Sequence, residues 1–176
     1  MNYHLRAPLA PNEQSESALG MNRWAALALI LLASFAAAAI GGYATSTSVG
    51  TWYPLLAKPA WNPPAAVFGP VWTLLYAAMS VAAWRIWLRR DQPGARVALR
   101  LFFASLALNT LWSILFFGLR RPGWAFAEVM VFWVCLVAVQ FRFRRLDAVA
   151  AGLWAPYLVW VSFASVLNGT VWWLNR

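Results

Sequence analysis

The chain has 176 residues, of which 62% are hydrophobic and 11% charged, with a net charge of +9. That is more apolar surface than one soluble core of this size can hide, which excludes a soluble globular domain and indicates a membrane protein. The arginines stand beside the ends of apolar runs, which favours anionic lipid and a role in topology over nucleic acid, and the lone Cys135 excludes a disulfide within the chain.

Residues 1–22 are polar, carry Pro8, Pro11, Glu13 and Glu16, and lack a periodic apolar face. A disordered tail is expected there, ahead of a membrane domain at 23–176. Five apolar runs follow, each near the length that crosses a hydrocarbon core. They predict an all-α bundle of five transmembrane helices at about 24–43, 68–88, 97–119, 124–141 and 148–174. The first run also reads as a signal peptide, with Arg23 as basic flank and the Ala36–Ala39 tract near a cleavage point. Its length and the polar tail ahead of it favour a span.

Between the first two helices the chain reads WYPLLAKPAWNPPAAVFGPVWTLLY, from Trp52 to Tyr76. Pro54, Pro59, Pro63, Pro64 and Pro70 remove backbone donors and push their predecessors out of the α region, so one continuous helix is excluded. Trp52, Tyr53, Trp61, Phe68 and Trp72 form an amphipathic aromatic surface whose only charge is Lys58. The stretch is expected to be a stiff lid loop, with the second helix starting at its end. Further on, Asp91–Gly94 breaks the second helix, Arg120–Gly123 makes a tight hairpin, and the basic run ending at Arg145 closes the fourth helix. Pro156 predicts a kink in the fifth. Short connections make successive helices antiparallel neighbours.

Five spans put Arg6, Arg23, Arg85, Arg89, Arg90, Arg96, Arg100, Arg142, Arg144 and Arg145 on one side and only Lys58, Arg120, Arg121 and Arg176 on the other. The larger basic set marks the cytoplasmic face, so the N-terminus is expected inside and the lid loop and C-terminus outside.

Three helices carry polar and aromatic stripes at helical spacing: Trp72, Tyr76 and Met79; Asn109, Trp112, Ser113 and Phe116; and Tyr157, Trp160, Ala164 and Asn168. An asparagine in hydrocarbon needs a partner, so Asn109 and Asn168 are expected to face the interior, as interhelical glue or as pocket groups. Trp112 and Trp160 lie well inside their spans, where a pocket role suits them better than belt anchoring. The only histidine is His4, in the tail, so there is no basis for a His metal site, a Ser-His triad or histidine-ligated haem within the bundle. Glu128 is the one carboxylate within a span, a functional candidate or a helix-end group that reaches water.

The segments WYPLLAKPAWNPP with FGPVWTLLY, ALNTLWSILFFGLRRPGWAFAEV and PYLVWVSFASVLN resemble the translocator protein family, the tryptophan-rich sensory proteins or peripheral benzodiazepine receptors. The likeness covers about residues 24–175, and the Ala/Arg-rich composition suggests a bacterial member, hence a bacterial envelope location. It implies a five-helix bundle, usually a homodimer, whose pocket under the first loop binds tetrapyrroles such as protoporphyrin IX and haem, with no required cofactor. Isoquinoline carboxamide and benzodiazepine ligands enter the same pocket. By motif match, Tyr53, Pro63, Trp72, Tyr76, Asn109, Trp112, Ser113, Trp160 and Ala164 correspond to the family's ligand-binding positions. The cholesterol motif of animal members is missing: Gly169 and Thr170 stand near its tyrosine and Trp173 near its basic residue, which speaks against strong cholesterol binding.

The functions in competition are a tetrapyrrole-binding sensor or transporter, a light- and oxygen-dependent porphyrin-degrading enzyme using Trp72 and Trp160, and a membrane scaffold defined by its partners. The absence of an ordinary acid/base pair favours binding over catalysis.

Overall fold

A computed structural model describes residues 22–176; apart from Asn22, the expected polar tail lies outside the described residues. The described chain is all-helical: α1 (Arg23–Ser46), α2 (Ala65–Trp87), α3 (Ala95–Ser113), α4 (Pro122–Leu146) and α5 (Ala148–Leu174). A π-helical turn, Ile114–Gly118, continues α3, and a 3-10 turn, Tyr53–Leu55, interrupts the lid loop. All five spans are long and apolar enough to cross a membrane.

Local chemistry sets the boundaries. The Asn22 side chain caps α1 by accepting from the Trp24 N–H at 3.0 Å. Gly94, at φ +89°, makes the left-handed turn into α3, and Pro122 opens α4, where a missing N–H has no intrahelical partner to lose. Asp147 caps α5, accepting from the N–H groups of Val149 (2.8 Å) and Ala150 (3.1 Å). The same carboxylate takes Arg85 at 3.0 Å and contacts Arg89, tying α2 to the α4–α5 corner. Burial alone would raise this carboxyl, but the Ala150 N–H and the two guanidinium groups outweigh it and hold Asp147 below its ordinary value.

Two boundaries depart from the sequence reading. α2 begins at Ala65 and carries Pro70 inside it, so Pro70 does not break this helix. Pro70 sits early in the helix on its exposed side, costing one hydrogen bond to Ala66 without a steric collision with a packed neighbour. α4 runs on through the basic run to Leu146, because Phe143 is fully buried while Arg142, Arg144 and Arg145 point outward.

Around the bundle the order is α1, α2, α5, α4, α3 and back to α1, with α2 also touching α3. The core is filled by Met79, Ile86, Phe102, Leu136, Phe143 and Trp154, all fully buried. Small residues let α4 and α5 close together near the lid. A Cβ on Gly169 would meet the Phe126 ring at 2.8 Å, and one on Gly123 would meet the Trp172 indole at 2.8 Å. Phe126 and Trp172 stack in the space so left, with centroids 5.6 Å apart.

Candidate functional site

The predicted stripes of α2, α3 and α5 meet in the interior. The Tyr76 hydroxyl donates to Asn109 Oδ1 at 3.0 Å, and Asn109 Nδ2 donates to the Tyr157 hydroxyl at 2.7 Å. Tyr76, Asn109 and Tyr157 are 5%, 4% and 0% exposed, so one asparagine links three helices in a buried relay. Trp72 covers the lid side of this relay, its ring 5.7 Å from Tyr76 and 6.1 Å from Tyr157.

From Trp72 toward the lid the lining is aromatic. Trp160 packs edge-on to Phe68 of α2 at 5.8 Å and lies 5.7 Å from Phe163, which in turn meets Trp61 of the lid loop at 5.8 Å. The Trp160 indole N–H is buried and has no hydrogen-bond acceptor.

A second aromatic cluster closes the neighbouring sector. Trp112 stacks on Phe116 at 5.3 Å and donates its indole N–H to Asn168 Oδ1 at 2.9 Å, while Asn168 Nδ2 donates to the Pro122 carbonyl at 2.9 Å. Tyr53 lies on the same cluster, 6.2 Å from Phe116 and 5.6 Å from Phe117. The π-helical turn makes this possible: its wider winding sets both phenylalanines under the lid loop.

The lid loop is held by its own polar groups. The Tyr53 hydroxyl donates to Asn62 Oδ1 at 3.0 Å, and burial pushes its phenol above the ordinary value. The Lys58 ammonium donates to the carbonyls of Tyr53 (2.7 Å), Leu56 (2.8 Å) and Pro54 (3.2 Å) and lies 4.8 Å from the Tyr53 ring centroid. Asn175, at the end of α5, pairs with both backbone groups of Ala57 at 2.9 Å.

The sequence-predicted residues therefore fall into groups. Trp72, Tyr76 and Asn109 share the relay region, and Trp160 joins it through the aromatic lining. Trp112 and Tyr53 belong to the neighbouring lid cluster, and Pro63 is a half-buried lid residue whose carbonyl accepts from Asn62 at 3.1 Å. Ala164 is half-buried one turn beyond Trp160. Ser113 goes elsewhere: its Oγ would lie 3.1 Å from a Cβ on Gly41, so it lines the α1–α3 contact. Tyr157 and Asn168 were in the stripe of the fifth helix but not among the nine selected positions; their hydrogen bonds make them the α5 ends of both interior connections. Among the described residues no group of three or more metal-ligating side chains occurs. Neutral aromatic faces with a few amide and hydroxyl groups suit a flat, largely apolar ligand.

The pattern that defines the TspO/MBR family matches residues 26–174. The chain is 43% identical over 148 residues to the tryptophan-rich sensory protein of Cereibacter sphaeroides, covering 84% of this chain and 90% of the relative. It is 36% identical over 153 residues to the tryptophan-rich protein TspO of Chlorobaculum tepidum, covering 85% and 95%. Against the translocator protein of Homo sapiens it is 39% identical over 123 residues, covering 69% and 73%.

Proposed function

Since the chain belongs to the TspO/MBR family and forms a five-helix membrane bundle, we propose that it binds a tetrapyrrole, protoporphyrin IX or haem, in the interior beneath the lid loop. The observation that carries this reading is the convergence of Trp72, Tyr76 and Tyr157 around Asn109, with Phe68 and Trp160 packed together on the lid side, an aromatic lining with amide and hydroxyl groups at its floor. The macrocycle stacks against Trp72 and Trp160, with Tyr53 and Pro63 above it in the lid loop and Trp112 alongside. The protein then serves as a sensor or transporter, its lid loop controlling access. It works as a homodimer in a bacterial envelope membrane, with the arginine-rich end cytoplasmic. A groove of about 420 Å³ between α1 and α3, lined by Ala33, Ala37, Ala107 and Thr110 among others, offers the small-residue surface that close helix approach between copies requires.

Titration of protoporphyrin IX into purified protein, read by tryptophan quenching and by the porphyrin spectrum in darkness and light, tests the reading. Saturable quenching with a stable spectrum, weakened in Trp72→Phe and Trp160→Phe, supports binding. Bleaching in light that both variants abolish replaces it with porphyrin degradation. Absence of saturable binding refutes the interior site and leaves a scaffold role.

A further inference from the structure

Among the described residues five buried side-chain atoms have no hydrogen-bond partner, and two of them are the carboxyl oxygens of Glu128. The others belong to Ser34, Gln140 and Trp160. Glu128 lies on α4, one turn nearer the lid than Phe132, whose ring packs 6.2 Å from Tyr157. The contact of Cys135 Sγ with the Leu101 carbonyl, at 3.6 Å, fixes the antiparallel register of α3 and α4. Two turns nearer the lid, that register sets Glu128 level with Leu108 and Asn109. Glu128 therefore stands on α4 at the height of the relay, one turn from the ring that packs on Tyr157.

Among the described residues no cation pairs with this carboxyl. The basic residues of the spans, Arg23, Arg85, Arg96, Arg100, Arg142, Arg144 and Arg145, all stand at the opposite end of the bundle. Nearer the lid, Lys58 is taken up by three carbonyls, Arg120 donates to Ser48 Oγ at 3.1 Å, Arg121 is exposed at the start of α4, and Arg176 lies over the Trp173 ring. The titratable groups facing this interior are Tyr76 of α2, Tyr157 of α5 and Cys135 of α4 itself; α3 contributes Asn109 and Trp112, and α1 nothing that titrates. Glu128 is half-buried, but both its oxygens are buried; a carboxylate held there without a cation or a donor is costly, whereas a carboxylic acid is a neutral hydrogen-bond donor.

We propose that Glu128 is carried as the neutral acid and that its O–H is a donor for the carboxylate of a flat acidic ligand. This deepens the interior-ligand reading above and rests on it: the unpartnered carboxyl becomes a polar contact of a site whose lining is aromatic. The ligand class is an aromatic or macrocyclic carboxylic acid, bound by its acid group and not by its rings alone. Glu128→Gln keeps a neutral donor at the same place; Glu128→Ala removes it.

The test uses the full chain in lipid nanodiscs with protoporphyrin IX, which carries two carboxylates, and its dimethyl ester, which carries none. The expected results are tighter binding of the diacid than of the ester and roughly tenfold weaker diacid binding in Glu128→Ala, with ester binding unchanged and Glu128→Gln close to the parent. Infrared spectroscopy of the ligand-free protein at neutral pH should show a carboxylic acid C=O band that Glu128→Gln abolishes. Equal losses for diacid and ester in Glu128→Ala, or no acid band, overturn the proposal. If neither porphyrin binds, the tetrapyrrole reading and the ligand half of this inference fall together, while the infrared band, read without ligand, still decides the charge state of Glu128.

Discussion

Replacing Asn109 by leucine removes the amide that joins three helices while nearly keeping the side-chain volume. Two buried phenols lose partners: Tyr76 its acceptor at 3.0 Å and Tyr157 its donor at 2.7 Å. In water-soluble proteins each orphaned group would cost about 1–3 kcal/mol. Inside a membrane, cross-helix hydrogen bonds average about 0.6 kcal/mol, because the unfolded chain in lipid also finds partners. For two bonds at complete burial we therefore expect a loss of about 1–3 kcal/mol, without the cavity cost that Asn109→Ala would add. The assay is reversible unfolding in mixed detergent micelles, followed by circular dichroism. Tyr76→Phe in the Asn109→Leu background should restore part of the stability, since no phenol is then left unpaired on α2. A double-mutant cycle should give coupling of about 0.5–1.5 kcal/mol. Additive effects, or an Asn109→Leu variant as stable as the parent, would refute the relay as a three-helix tie.

Asp147→Ala removes the α5 cap and the partner of Arg85 and Arg89, and should cost about 1–2 kcal/mol in the same assay. Because the folded carboxyl is held below its ordinary value of 3.8, its contribution is complete above that value and drains away as pH falls through the folded one; Asp147→Asn should flatten that acid limb. Gly169→Ala drives a methyl to 2.8 Å from the Phe126 ring and should destabilise by about 1–3 kcal/mol, partly relieved by Phe126→Leu; no loss in thermal stability would contradict the close approach of α4 and α5. Asn175→Ala releases both backbone groups of Ala57 and should speed amide exchange in residues 53–62 several-fold while leaving the core of α3 and α4 unchanged, as mass spectrometry can read.

What the sequence made legible followed from periodicities and breakers. The fifth helix was expected at 148–174 and found there, because Asp147 is a strong cap and the run behind it is uniformly apolar. The second helix was expected to begin at 68, since counting prolines treats each as a stop, whereas an exposed proline early in a helix costs little. The α3 stripe was read as one face. In the structure Asn109 enters the relay, Trp112 and Phe116 support the lid loop, and Ser113 turns to Gly41 of α1, because a stripe this wide touches more than one neighbour. The π-helical turn left no trace in a 3.6-residue period. The partners themselves, Tyr157 for Asn109 and Asn168 for Trp112, depend on the register between helices distant in sequence, which no local pattern encodes. Gly169 is the clearest gain: in the sequence it stands, with Thr170, near the tyrosine of the missing cholesterol motif, and in the structure the Phe126 ring takes up the space that a larger side chain at 169 would need.

The amide pair between Asn175 and Ala57 makes the last turn of α5 and the loop over the interior one mechanical unit. Fraying of that turn, the cheapest motion any helix has, is then also the first step of uncovering the interior. On the function proposed above the loop is the gate, and its opening starts at a helix end, ahead of any rearrangement within the five spans. A fusion partner or affinity tag attached at Arg176 would pull on this gate directly, and kinetic measurements on such a fusion would report the tag as much as the protein.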